Sequence, residues 1–199
     1  MLIAMFASMV LGLVSSYLGI LPASFEPIAN DMPYYCLCFM LFLVGYGISK
    51  DREVLKQLFK RNLYAILIPI GTISGTLAGG ALASIFLPLG LRESMAVAAG
   101  CGWYSYSAVY LAEVHSADLG AVAFLANVGR ETVALFTIPL IVKVFGKYSA
   151  ISVAGATSMD VTMPIVSRYA GSEAAILSFI HGVVVSIVVP FLVPILIGW

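Results

Sequence analysis

The chain has 199 residues, which suits one domain or one bundle of membrane helices. Hydrophobic residues make up 61% of it and charged residues 10%, whereas a soluble domain carries roughly 25% charged residues. Ten basic and ten acidic residues cancel, which argues against a nucleic-acid or other polyanionic partner. The composition therefore predicts a single all-α transmembrane domain over residues 1–199, embedded in a lipid bilayer.

Seven apolar runs approach or exceed the roughly 20 residues of helix that cross a bilayer core. The predicted spans are Met1–Leu21, Met32–Ser49, one within Leu63–Leu91, Ser94–Ala112, Leu119–Val142, Tyr148–Ser167 and Ala174–Trp199. The sequence thus predicts a protein with about seven transmembrane helices.

The loop Lys50–Arg61 holds five of the ten basic residues and is therefore predicted to be cytoplasmic. Seven spans then place Arg168 inside as well, with Arg92, Lys143 and Lys147 outside. This count favours an internal amino terminus and an external carboxyl terminus. A re-entrant fourth segment would upset it.

Glycines at positions 71, 75 and 79 of the third span form two overlapping G-x-x-x-G motifs. Such a seam lets another helix approach closely, although glycine is also common in membrane helices that make no specific contact.

The chain carries no nucleotide-binding loop, hydrolase elbow or zinc-peptidase motif. Its three cysteines, Cys36, Cys38 and Cys101, lie in apolar runs and suit neither a zinc site nor a disulfide framework. We interpret them as small packing residues. The sequence predicts no enzyme, no metal and no cofactor.

The fourth span is interrupted at 100–107 by two glycines, three aromatic residues and two serines. This stretch, with Trp103, Tyr104 and Ser105, is either an interfacial aromatic belt or a broken helix that lines a polar cavity. Its position in the middle of the segment favours the cavity.

Arg130 and Glu131 lie between two uncharged runs of the fifth span, near the predicted bilayer centre. With Asn127 they occupy positions i, i+3 and i+4, which predicts one shared helix face. A structural ion pair between Arg130 and Glu131 is the main alternative to a functional site. Because adjacent helical positions point about 100° apart, each can reach a different helix.

The sixth span contains Gly155–Pro164, a polar stretch around Asp160. An intramembrane carboxylate indicates a functional site. Pro164 removes the helical partner of the Asp160 carbonyl, and glycine and hydroxyl residues, Thr157 and Ser158 among them, allow a broken helix to stay hydrogen-bonded at membrane depth. The alternative is a kinked helix whose protonated Asp160 bonds a neighbour.

His181 lies about a third of the way into the seventh span. A histidine bonded to a neighbouring helix is the commoner arrangement, and a proton-relay role is the sharper alternative.

Four motifs in one order resemble the bacterial and archaeal lysine exporter (LysO) family. They are Gly100-x-Gly102-Trp103-Tyr104-Ser105, Asn127-x-x-Arg130-Glu131, Gly155-Ala156-Thr157-Ser158-Met159-Asp160-x-Thr162-x-Pro164, and His181-Gly182 with prolines at 190 and 194. The resemblance implies export of L-lysine and its toxic analogues across the inner (cytoplasmic) membrane. It also implies an essential acidic pair, Glu131 and Asp160, and a fold like the cation/proton antiporters and bile-acid transporters, with crossed broken helices.

Many family members begin with extra spans, which are either supplied here by a small companion membrane protein, a further expected partner, or missing because this is a shortened form. A homo-oligomer is another expected assembly. We expect antiport of lysine against protons or sodium. A cation/proton antiporter without an amino-acid site and a non-transporting scaffold remain alternatives.

The expected site gathers Glu131 and Asp160 as ammonium ligands and the backbone of Thr157–Met159 as a carboxylate site at a half-helix N-terminus. Arg130 is the alternative positive pole. Trp103 and Tyr104 are expected on the lysine stem, and Asn127 is expected to bond toward the Glu131 side of the cavity.

Overall fold

The computed structural model describes residues 63–198 continuously, together with scattered helical positions between Leu11 and Tyr46. The chain divides into two compact units, Met1–Met40 and Leu41–Trp199, and the continuous part lies in the second. The first two predicted spans fall almost entirely outside the described residues. The single-domain organisation therefore stays a prediction.

Residues 63–198 are helical apart from short turns and contain no strand, as the sequence predicts. The elements are α1 (Leu63–Ala83), α2 (Leu91–Ala99), α3 (Tyr104–Val114), α4 (Ala117–Phe145), α5 (Lys147–Ala154), a 3-10 helix (Gly155–Met159), α6 (Met163–Ala170) and α7 (Ser172–Ile197).

Three of these helices are long: α1 has 21 residues, α4 has 29 and α7 has 26. In the described part of the chain, Ile66–Ala83 in α1 and Glu173–Ile197 in α7 are long and apolar enough to cross a membrane. The remaining helices have 8 to 11 residues, too few to cross singly.

The short helices α2 and α3 form a hairpin. Nε2 of His115, just after α3, lies 3.3 Å from Oε1 of Glu93 in the first turn of α2. A straight helix would separate these residues by about 33 Å. The chain therefore turns back at Gly100–Trp103, and both arms begin and end at one end of the bundle, here called the Glu93 end.

A second hairpin is formed by α5, the 3-10 helix and α6. The ammonium of Lys147 at the start of α5 contacts the carboxylate of Glu173, which follows α6. These residues would be about 39 Å apart along a straight helix. The hairpin arms pack together through Ile151 and Val166 in a buried apolar cluster with Ile138 of α4. We call this end of the bundle the Lys147 end.

The two hairpins correct the predicted topology. The fourth and sixth segments break where the sequence indicates, at 100–103 and 155–162, but each break reverses the chain instead of letting it cross. The expected crossing of two broken spanning helices is therefore not confirmed. An apolar run of about 20 residues has the same composition whether it forms one span or two half-length arms.

Basic side chains are divided unequally between the two ends. Lys143, Lys147 and Arg168 lie at the Lys147 end, where α4 stops and the second hairpin begins and ends. Arg92 lies at the Glu93 end, near Gly198 after α7. The predicted placement of Lys143 and Lys147 on the side of Arg92 is therefore wrong.

The tips of the two hairpins meet backbone to backbone. The N–H of Ala156 donates to the carbonyl of Cys101 at 2.9 Å. Gly155 has φ +64°, and a Cβ at this position would lie 2.2 Å from the Cys101 oxygen. Cys101 itself has φ 51°, an uncommon value for a residue with a side chain. The contact is thus too close for any side chain.

Of the cysteines, Cys101 is fully buried at this contact, as a packing role predicts, whereas Cys36 and Cys38 are exposed. Among the described residues, a Cβ at Gly71, Gly75 or Gly79 would meet no atom within 4 Å, so the glycine seam stays a prediction. Gly80 is the glycine of α1 that packs closely, against Ala98.

We expect Gly155→Ala to destabilise the protein severely, because alanine at positive φ costs about 1–3 kcal/mol and its Cβ would also overlap the Cys101 carbonyl. The measurement is the thermal unfolding midpoint of the purified protein in detergent. Gly129→Ala is the matched control, since a Cβ there meets no atom within 4 Å. Equal midpoints for the two variants would contradict the tip contact.

Candidate functional site

Asn127 of α4 holds the tip of the first hairpin. Its Oδ1 accepts from the N–H of Gly102 at 2.7 Å, and its Nδ2 donates to the Val97 carbonyl at 3.0 Å and to Ser107 Oγ at 3.3 Å. The side chain is 2% exposed. Asn127 thus satisfies backbone groups that the break leaves without helical partners, which replaces its expected role beside Glu131.

Arg130, one turn further along α4, holds the tip of the second hairpin. Its guanidinium donates to Thr76 Oγ1 at 3.0 Å and to the carbonyls of Ser152 and Val153 at 3.3 and 3.4 Å. These carbonyls belong to the last turn of α5, where backbone acceptors lack helical donors and the helix dipole favours a cation. In residues 63–198 Arg130 forms no ion pair with Glu131.

Hydroxyl groups within the second hairpin satisfy the rest of its broken backbone, as the sequence predicts. Thr157 Oγ1 donates to the Ala154 carbonyl at 2.8 Å, and Thr162 Oγ1 donates to the Thr157 carbonyl at 2.9 Å. The Asp160 carbonyl, which Pro164 leaves without its helical donor, accepts from the N–H of Met163 at 3.3 Å. The tip is therefore ordered although it is not an α-helix.

His181 of α7 joins this tip to α1. Ser158 donates its single hydroxyl proton to the Ser178 carbonyl at 2.8 Å, so its oxygen accepts from His181 Nδ1–H, also at 2.8 Å. Nε2 then accepts from the hydroxyl of Thr72 at 2.9 Å. This network assigns a neutral imidazole bonded to neighbouring helices, which is the commoner of the two arrangements considered for His181.

A cavity of about 170 Å³ lies between the two tips, α4 and α7. We call it the acidic cavity because Glu131 and Asp160 both line it. Its other lining residues are Gly102, Trp103, Tyr104, Ser105, Ala156, Thr157, Met159, Val161 and Ser186. Asn127, Arg130, Ser158 and His181 lie outside this lining and hold the walls instead.

The two carboxylates of the acidic cavity differ in their surroundings. Oε2 of Glu131 is buried and has no hydrogen-bond partner among the described residues. Oδ1 of Asp160 accepts from the N–H of Val161 at 2.6 Å, and its side chain is exposed. A buried orphan oxygen is costly, so Glu131 is built to receive a donor. The shared face predicted for Asn127, Arg130 and Glu131 holds for the first two, which line a second cavity together, but not for Glu131, which lines this one.

The helix N-terminus at the acidic cavity belongs to α3. Its first residues, Tyr104 and Ser105, and Trp103 before them all line the cavity. Thr157–Met159 instead form the end of the 3-10 helix, so the expected half-helix N-terminus is not at that position. The first N–H groups of α3 lack helical acceptors, which favours an anion there.

Gly182, part of the His181-Gly182 motif, is needed because a Cβ there would lie 2.6 Å from the backbone nitrogen of Met159. The sequence analysis missed two serines beside it that shape the site. Ser178 and Ser186 flank Gly182 at four-residue spacing and contact Ser158 and Met159. This run of small residues along one face of an apolar helix could have identified the packing face.

A sequence profile of the family described as "Lysine exporter LysO" matches residues 6–197. A protein named "Lysine exporter LysO" from Escherichia coli is 31% identical over 176 residues, which cover 88% of this chain and 58% of that protein. A "Putative lysine exporter" from Haemophilus influenzae is 30% identical over 186 residues, which cover 94% of this chain and 93% of that protein.

No solved structure matches this fold significantly. The chain spans 58% of the length of the Escherichia coli relative. The family match extends over nearly the whole sequence, including both hairpin tips and the acidic cavity between them. The chain therefore belongs to the lysine exporter LysO family of membrane proteins.

Proposed function

We propose that the protein is a secondary active exporter of L-lysine, and of lysine analogues, across the inner membrane. The observation that carries this proposal is the pair of carboxylates, Glu131 and Asp160, in one cavity where two hairpin tips meet. A site with two acidic groups suits a substrate with two ammonium groups. The names of the relatives supply lysine as the candidate substrate.

Within the acidic cavity, lysine has three charged groups to accommodate. The buried Oε2 of Glu131, which no described residue bonds, accepts from one ammonium, and Asp160 accepts from the other. The substrate carboxylate lies against the N-terminus of α3, at Trp103–Ser105. The aromatic rings of Trp103 and Tyr104 pack on the four-carbon stem or on an ammonium.

Transport is coupled to the inward movement of protons or sodium ions. A carboxylate that binds a lysine ammonium cannot hold a proton at the same time, so competition for Glu131 or Asp160 yields antiport without further machinery. Buried carboxylates are the groups that load and release protons in transporters of this kind.

We further propose that the Lys147 end faces the cytoplasm, because basic residues are enriched on the cytoplasmic side of membrane proteins. Lys143, Lys147 and Arg168 lie there, and the five basic residues of 50–61 directly precede α1, which starts at that end. Arg92 is the basic residue of the described part at the Glu93 end. On this assignment the hairpin that carries Asp160 enters from the cytoplasm, and the carboxyl terminus is external.

Two rival functions use the same architecture. A cation/proton antiporter would need Glu131 and Asp160 but no amino-acid site. A scaffold would need neither carboxylate. Flux of labelled lysine in membrane vesicles separates the three functions: proton flux driven by sodium or potassium without lysine flux favours the antiporter, and no flux of either kind favours the scaffold.

We expect Asp160→Asn to abolish lysine export while the protein still inserts. The change keeps the shape of the side chain but removes a charged hydrogen bond worth about 3 kcal/mol, which lowers transport roughly a hundredfold. Export is measured as efflux of labelled lysine, and insertion as the amount of protein in the membrane fraction. Normal insertion with parental efflux would eliminate the proposed site.

Glu131→Gln is expected to cause a similar loss, because its buried oxygen is the acceptor offered to an ammonium. Glu113→Gln is the matched control, since Glu113 is exposed in the last turn of α3 and lines neither cavity. Efflux from the control should equal that of the parent. The assignment fails if both variants lose export to the same degree.

We also propose that a two- or three-span companion membrane protein associates with this chain. Purification in mild detergent from the native host should recover this companion with the chain, alone or as part of a homo-oligomer. Full lysine transport by the isolated chain in liposomes would show that no companion is required.

A further inference from the structure

A second cavity, of about 290 Å³, lies between α1, α2 and α4. It extends from Leu87 and Leu89, in the linker at the Glu93 end, to Thr76 and Arg130 beside the hairpin tips. Most of its wall is apolar, formed by small and branched side chains. We call it the α1–α2–α4 cavity. It connects one end of the bundle with the level at which the tips meet.

Two polar side chains that line this cavity offer hydrogen-bond donors to a ligand. Ser94 is 4% exposed, lines the cavity, and its Oγ has no hydrogen-bond partner among the described residues. Arg130 lies at the inner end, and its partners in residues 63–198 are a hydroxyl, two carbonyls and the thiol of Cys101, none of them a carboxylate. A half-buried guanidinium with neutral partners attracts an anion.

We propose that the α1–α2–α4 cavity is the exit vestibule of the transport path and that Arg130 receives the carboxylate of the departing amino acid there. The proposal rests on the proposed function for the identity of the substrate. Arg130 offers a planar fork that matches a carboxylate, and Ser94, in the first turn of α2, adds a hydroxyl donor nearer the Glu93 end. The apolar lining contacts the aliphatic stem.

The position of Arg130 on α4 separates this vestibule from the acidic cavity. Glu131, the next residue, lines the acidic cavity, whereas Arg130 lines the vestibule. The Cys101–Ala156 backbone contact closes the tips beside them. In the proposed path, an amino acid that is bound through its ammonium groups at Glu131 moves next into the vestibule, where the charged side chain is the positive Arg130. There its ammonium groups are repelled, which favours release at the Glu93 end.

The first test fills the vestibule. Gly79 lines it, and a Cβ there meets no atom of the described residues within 4 Å, so Gly79→Leu adds a bulky apolar side chain to the cavity wall. Gly75→Leu is the matched control, one turn away on α1, equally open and outside the cavity lining. We expect lysine efflux to fall at least about tenfold for Gly79→Leu and to stay at the parental rate for the control. Equal efflux from the two variants, whether lowered or parental, overturns the vestibule.

The second test does not depend on lysine export. In a background with Cys36→Ser and Cys38→Ser, a cysteine is placed at Gly79 or at Leu87, which lies at the mouth of the cavity. Both should react with membrane-impermeant methanethiosulfonates added from outside. The ratio of sulfonate to trimethylammonium reagent rates should be roughly twofold to fourfold higher at Gly79→Cys, because a unit charge about 10 Å away biases anions over cations by this amount.

The two tests separate this proposal from the proposed function. An unreactive Gly79→Cys, or a ratio no higher than at Leu87→Cys, overturns the vestibule even if lysine is exported. The expected ratio without any lysine flux in the parent supports an outward anion site and refutes lysine as its ligand, which overturns the exit role.

Discussion

The structure depends on satisfying the backbone at two broken helix tips that meet inside the bundle. Water is absent from a bilayer core, so each unpaired N–H or carbonyl there needs a partner from the protein. Asn127 supplies these partners to the first tip and Arg130 to the second, from successive turns of α4. Further carbonyls of the second tip accept from its own threonine hydroxyls and from the hydroxyl of Ser178, which donates to the Ser158 carbonyl. Both hairpins are thus fastened to the long helices around them.

Neighbouring residues of α4 have two different roles: some support the hairpin tips, and another places a carboxylate in the acidic cavity. Asn127 and Arg130 hold the tips, and this leaves Glu131, the next residue, facing the acidic cavity with a buried oxygen that the described residues do not bond. Asp160 reaches the same cavity from a tip that Arg130 holds. In the proposed mechanism, a rigid backbone around the two carboxylates lets the site distinguish a proton from an ammonium group, because the site keeps its shape when either ligand leaves.

The opposite sides of the hairpin tips also differ in charge. The acidic cavity presents Glu131 and Asp160, and the α1–α2–α4 cavity presents Arg130. Since Arg130 also bonds the last carbonyls of α5, movement of the second hairpin would change the guanidinium's partners and its availability to a ligand at the same moment. In the proposed mechanism this contact is where hairpin position and anion binding are linked.

Composition and local pattern were sufficient to identify a helical membrane protein, the two breaks, and the polar residues around them, because these follow from hydropathy and from backbone chemistry at glycine and proline. The direction of the chain after each break was decided by tertiary structure. No local sequence feature distinguishes a helix that crosses the membrane from two half-length arms. The Glu93–His115 and Lys147–Glu173 contacts, in contrast, require the chain to reverse direction at each break. Likewise, spacing grouped Asn127, Arg130 and Glu131 on one face, but the positions of the two tips around α4 directed Glu131 to one cavity and Arg130 to the other. Which polar residue supports the fold and which remains open to a ligand depends on those long-range partners, and a single sequence does not contain them.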